Sequence, residues 1–187
     1  MAHETRFPIQ LRFSDIDSYG HVNNVTFLSL LETARVQLHD LPEAEAEAEA
    51  RAAKDDGGGA GTGGSVPSSA GSDMAGGATL RDLSGPGNYT LVGRQEIEYL
   101  APLLYRPEPV YVGVRVTDLG RSSFELGYTV AERDESTVYA VAAATMVLAS
   151  RETGRPVALP EAYRQSLEQY RGAEVPFRRR SRQSAGA

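Results

Sequence analysis

Hydrophobic and polar residues alternate through Phe7, Ile9, Leu11 and Phe13, the period-two pattern of a strand with one buried face. The period then changes. Phe27, Leu30, Leu31, Ala34 and Leu38 recur at spacings of three and four, which predicts a helix with one apolar stripe. Alternation returns from Tyr89 to Tyr99, at Val110, Val112, Val114 and Val116, and at Phe124, Leu126, Tyr128 and Val130, with turn residues such as Leu119-Gly-Arg-Ser122 between the runs. The stretch Val138 to Ala149 is apolar or small at nearly every position, as expected of a strand covered on both faces. Pro160 is placed to open a short terminal helix over 161–170.

The order is one strand, one helix and four strands. It predicts an α+β domain in which an antiparallel five-stranded sheet wraps around one long helix. Residues 42–86 interrupt the pattern: a Glu-Ala repeat leads through Lys54-Asp-Asp56 into a Gly/Ser/Ala-rich run with no apolar stripe to bury, and this reads as a flexible insert. The expected organisation is a single domain over 1–171 carrying that insert, followed by a disordered Arg-rich tail over 172–187. One helix cannot cover both faces of five strands, so the sheet is expected to find a partner through an edge strand, as a homodimer or homotetramer.

Composition narrows the chemistry. The 187 residues include no cysteine, which excludes a thiol nucleophile, a disulfide framework and a thiolate metal site. A formal net charge of −6 argues against nucleic-acid binding, and no apolar run approaches the ~20 residues that cross a bilayer. The opening residues have neither a basic nor an apolar leader region, so a cytoplasmic location is expected. Gly59-Ala-Gly-Thr-Gly-Gly64 matches a dinucleotide-binding pattern but has no strand before it and no helix pattern after it.

Polar residues with catalytic potential concentrate between the first strand and the helix: Asp15, Asp17, His21, Asn23 and Asn24. In a structural reading one of the asparagines caps the helix and the aspartates belong to a polar turn. A calcium loop fails because Tyr19 and Thr26 stand where oxygen ligands are needed, and no metal site is expected. A serine-hydrolase elbow is absent. In a catalytic reading, a carboxylate just before a helix N-terminus attacks a carbonyl or activates water while helix N–H groups stabilise the oxyanion.

The run Asp15-Ile-Asp17-Ser-Tyr-Gly20-His21-Val-Asn23-Asn24, the helix ending near Glu32-Thr-Ala-Arg35, Ile97 to Leu103 and Arg151 to Pro160 together resemble the 4-hydroxybenzoyl-CoA thioesterase family. The first element also resembles one in plant acyl-ACP thioesterases, although Tyr19 stands where those enzymes have an Asn. The resemblance implies a hotdog fold, hydrolysis of an acyl-CoA thioester at a dimer interface, and coenzyme A as part of the substrate with no separate cofactor. It implies Asp17, His21 and Asn23 as catalytic residues, with Asp17 as nucleophile or general base, and Tyr19, Gly20, Asn24 and Phe27 around the substrate. A catalytically silent hotdog protein that binds an acyl or CoA ligand, or an acyl-ACP thioesterase, is the alternative.

Overall fold

The computed structural model describes residues 4–42 and 77–178. Strand β1 (Thr5–Ile9) is followed by a single 3-10 turn (Phe13–Asp15), helix α1 (Asn24–Asp40), a short helix α2 (Leu80–Leu83), strands β2 (Asn88–Tyr99), β3 (Val110–Leu119), β4 (Ser123–Ala131) and β5 (Val138–Ser150), and helix α3 (Glu161–Gln169). The strands form one antiparallel sheet in the order β1-β3-β4-β5-β2. This is the α+β architecture that the alternating pattern predicts.

Register explains which side chains meet α1. Phe7 pairs with Val112, Val112 with Val130, Val130 with Ala140, and Ala140 with Tyr99, so one row runs across all five strands. The next row on the same face is Thr5, Val114, Tyr128, Ala142 and Ile97. Against this concave face α1 lays Leu30, Leu31, Ala34 and Leu38, all at most 4% exposed. Burying such side chains contributes ~1.5–3 kcal/mol each, and the helix is held by that packing more than by its own propensity.

Three expectations need correction. The first strand stops at Ile9 instead of reaching Phe13, whose side chain is 80% exposed in the 3-10 turn; Leu11 alone of the later pair reaches the core. Most of the low-complexity segment, 43–76, lies outside the described residues, but the expected insert ends too late. Thr79 caps α2 by accepting from the Asp82 N–H, Leu80 is 1% exposed, and Thr79 bridges Pro42, so the packed chain resumes before 86. Besides α1, helix α3 contributes buried Tyr163 and Leu167 to the core. The last concerns the tail, because Val175 and Phe177 are buried against the outer face of the sheet on Val141 and Ala143. Residues 179–187 lie outside the described chain.

Strand β2 is an edge. Its outer backbone has no strand partner among the described residues, and Leu91 and Val92 are exposed by 46% and 42%. No described helix is long and apolar enough to cross a membrane.

Candidate active site

The segment between β1 and α1 folds back on itself through backbone bonds. The Asp17 N–H donates to the His21 carbonyl at 2.8 Å, the Gly20 N–H to the Asp17 carbonyl at 3.1 Å, and the Asn23 N–H to the Asp15 carbonyl at 2.9 Å. Gly20 sits at φ +79°, a conformation that costs an L side chain ~1–2 kcal/mol, so glycine is what lets this turn close. The turn is also pinned from outside, since the Val22 N–H donates to the Leu103 carbonyl at 2.8 Å and His21 bridges Leu104.

Within this frame Oδ1 of Asp17 accepts from the Tyr19 N–H at 2.8 Å and from the His21 N–H at 3.2 Å. Its other oxygen, Oδ2, makes no hydrogen bond or ion pair among the described residues. One oxygen is therefore anchored and the other available, the arrangement a nucleophile or general base requires. Asp15 is used differently: its Oδ2 accepts from the Arg12 N–H at 2.7 Å and closes the 3-10 turn. The two aspartates of the motif thus face separate partners.

Asn23 is the N-cap of α1, its Oδ1 accepting from the Val25 N–H at 2.9 Å, while its carbonyl accepts from Thr26 and Phe27. That leaves the Asn24 N–H as the first-turn amide with no acceptor among the described residues. A free N–H at a helix N-terminus carries the positive end of the helix dipole and suits a developing oxyanion. His21 contributes its backbone to Asp17, whereas its ring has no partner among the described residues.

Of the residues expected around a substrate, Tyr19 is 83% exposed and Asn24 is exposed, with Gly20 between Tyr19 and His21. Phe27 is not open to a ligand: it is 3% exposed, with its ring edge-on to Tyr99 at 5.3 Å. The open ring beside Phe27 is Tyr99. It is 40% exposed, and its hydroxyl donates to the Asn24 carbonyl at 3.3 Å, which joins the end of β2 to the start of α1. Sequence reasoning missed Tyr99 and the Leu103–Leu104 backbone because Tyr99 reaches the site from the end of β2 and Leu103–Leu104 from the loop after it, through backbone pairing with Val22 and His21. Phe13 and Tyr105, stacked edge to face at 5.9 Å, form an exposed aromatic pair beside the same turn. Among the described residues no three His, Asp or Glu side chains gather as they would around a metal ion.

Comparison with known proteins bears on the family and the fold. A family model described as the thioesterase-like superfamily matches residues 11–167, a span that begins just before the motif and ends in α3. A thioesterase from Thermus thermophilus, solved in complex with coenzyme A and zinc, is 28% identical, with a TM-score of 0.56 over 87% of this chain and 95% of that one. The probable thioesterase YbaW of Escherichia coli is 20% identical, with a TM-score of 0.61 over 90% of this chain and 98% of that one. A 1,4-dihydroxy-2-naphthoyl-CoA thioesterase from Synechocystis is 13% identical and shares the fold, with a TM-score of 0.57 over 89% and 96% of the two chains. No curated protein matches the sequence.

Proposed function

The chain belongs to the thioesterase-like superfamily, and on that footing we propose that it hydrolyses an acyl-coenzyme A thioester to the free acid and coenzyme A, with Asp17 as the reacting carboxylate. The observation that supports this most is the asymmetry at Asp17: Oδ1 is held by two backbone N–H groups while Oδ2 is unengaged among the described residues. Two routes use that oxygen. In the first it attacks the thioester carbonyl, the C–S bond breaks to release the CoA thiolate, and water hydrolyses the resulting anhydride. In the second it takes a proton from water as the water attacks, and the C–S bond breaks from the tetrahedral intermediate. In both, negative charge develops on the carbonyl oxygen, and the Asn24 N–H is the donor best placed to receive it.

His21 and Gly20 act in this account as positioning residues. Asn23 fixes the start of α1 and through it the direction of the Asn24 amide. Coenzyme A is part of the substrate, and no separate cofactor is required. The assembly is a homodimer formed through the β2 edge, where a strand edge with no strand partner among the described residues and exposed Leu91 and Val92 favour pairing with a second copy. Pairing there sets the partner beside Tyr99 and the start of α1.

The proposal is tested by incubating the chain with aliphatic and aromatic acyl-CoAs and trapping the released thiol. Hydrolysis of at least one class is expected. Binding of acyl-CoA without release of thiol from any of them would favour the silent ligand-binding alternative.

A further inference from the structure

The loop that joins β2 to β3, residues 100–109, contains no strand or helix, yet it runs beside the Asp17 turn and is bonded to it. Its contacts with the segment between β1 and α1 are spread along both stretches. Beyond the Val22 N–H on the Leu103 carbonyl and the His21–Leu104 bridge, Gln10 Nε2 donates to the Pro107 carbonyl at 2.6 Å and the Tyr105 ring meets Phe13. The position of the turn therefore depends on the position of the loop.

Tyr139 of β5 holds the loop at both ends. Its carbonyl accepts from the Leu100 N–H at 2.8 Å and from the Ala101 N–H at 3.2 Å, where the loop begins. Farther along, Arg106 crosses the Tyr139 ring with its guanidinium carbon 5.8 Å from the ring centre, and it donates to the Tyr139 hydroxyl at 3.3 Å. Arg106 is also ion-paired with Glu132, just after β4, and the Tyr139 hydroxyl donates to the same carboxylate oxygen. A further bond from Arg106 reaches the Pro109 carbonyl at 3.4 Å. The Arg106 and Glu132 side chains are 23% and 25% exposed, so the pair is screened far less than one on the open surface.

We propose that Arg106 is a positioning residue for the reaction at Asp17: it fixes the 100–109 loop to the sheet, and the loop fixes the turn that holds the carboxylate. No hydrogen bond or ion pair of Arg106 among the described residues reaches the candidate site, so its influence passes through the loop. The path is short. Leu104 pairs with His21, whose N–H and carbonyl both engage Asp17, and Leu103 supplies the acceptor for the next residue, Val22. A loop released from Glu132 and Tyr139 lets that backbone shift, and a misplacement of ~1 Å at a reacting group costs ~10²-fold in rate. The effect on rate rests on the thioesterase reading; the effect on the turn does not.

The test compares the intact chain with Arg106→Gln, Arg106→Lys and Leu80→Ala, the last destabilised by loss of a core side chain outside the loop and the turn. Hydrolysis of an acyl-CoA and amide hydrogen exchange are both measured below the melting range of all four proteins. Arg106→Gln is expected to lower kcat by ~10-fold or more with KM nearly unchanged, because it disturbs the reacting geometry and no substrate contact. Exchange at the Tyr19, His21 and Val22 N–H groups is expected to quicken by a similar factor, with Leu126 and Tyr128 of β4 little changed. Arg106→Lys keeps a charge opposite Glu132 and is expected to recover part of both losses. Leu80→Ala is expected to keep the intact kcat. A folded Arg106→Gln variant in which either readout stays at the intact value overturns the proposal, as does a fall in kcat that Leu80→Ala reproduces. If the intact chain hydrolyses no acyl-CoA, the thioesterase reading fails and exchange alone decides: unchanged rates at the three turn amides overturn the tie to Arg106. If Arg106→Gln loses its strand content, Tyr139→Phe replaces it, removing only the hydroxyl, with the same readouts and an expected change of ~3-fold or more; no change overturns the proposal.

Discussion

Asp17 and His21 hold one another by two hydrogen bonds: the Asp17 N–H donates to the His21 carbonyl at 2.8 Å, and the His21 N–H donates to Oδ1 of Asp17 at 3.2 Å. The histidine of the motif therefore sets the orientation of the carboxylate through its main chain. Gly20 stands between them at φ +79°, with open space where a Cβ would be.

Gly20→Ala consequently meets no clash and tests backbone strain alone. A loss of about 1–2 kcal/mol in unfolding free energy is expected, with a fall in turnover larger than that in Gly20→Asn, because Asn tolerates the left-handed region better. Denaturant melts and steady-state rates on the same preparations check it. Equal activity in the two variants would show that the turn does not need this conformation.

The low-complexity segment and the short helix after it separate into a dispensable and a required part. Pro42 and Thr79 already form a bridge, so excising 43–76 and joining the ends through a few residues is expected to leave the melting transition cooperative. Leu80→Ala removes a fully buried side chain and is expected to cost about 2–5 kcal/mol. Excision of 42–86 removes Leu80 together with the Arg81–Asp40 ion pair and is expected to be the more damaging deletion. Thermal melts of the three variants order them.

Stability is expected to fall in mild acid because of His39. This ring is buried near the end of α1, with Nδ1 2.9 Å from the Arg35 carbonyl and Nε2 3.1 Å from the Tyr163 hydroxyl. Burial lowers its pKa from the ordinary 6.5, with Arg35 and Arg81 pressing the same way, against the Arg35 carbonyl and Asp40. The folded state therefore resists a proton that the unfolded chain accepts. The contribution is complete above about pH 6.5 and is lost as the pH falls toward the lowered value, with a slope of at most about 1.4 kcal/mol per pH unit. His39→Gln is expected to be less stable at pH 8 and to show a flatter dependence between pH 7 and 5.5, measured by denaturant melts.

The parts of the fold legible in the sequence are those in which burial follows period. Phe27, Leu30, Leu31, Ala34 and Leu38 announce α1, and the alternation of Val110 to Val116 announces β3, because each pattern is also the list of side chains that reach the core. Phe13 continues the alternation of β1, but the chain turns after Ile9 and the ring is left exposed. Leu80 and the pair Val175 and Phe177 were illegible for a different reason: one or two apolar residues in a polar context have no period, and their burial depends on a surface made by elements distant in sequence. Within the site, the Asp17 to Asn24 run was legible as local polar chemistry. Tyr99 was not, since its approach to Asn24 depends on β2 lying at one edge of the sheet.

The central claim is that Asp17 carries the reaction, and the most direct measurement is the hydrolysis rate of Asp17→Asn beside Asp15→Asn, with melting curves for both. Asn retains the oxygen that accepts from the Tyr19 and His21 N–H groups but removes the negative charge. Asp17→Asn is therefore expected to melt like the unmodified chain while turnover falls by at least ~10²-fold, the loss typical of a missing general base. Asp15, whose carboxylate closes the 3-10 turn at Arg12, is expected to change stability slightly and turnover by far less. A folded Asp17→Asn variant that hydrolyses acyl-CoA at nearly the unmodified rate would contradict the claim.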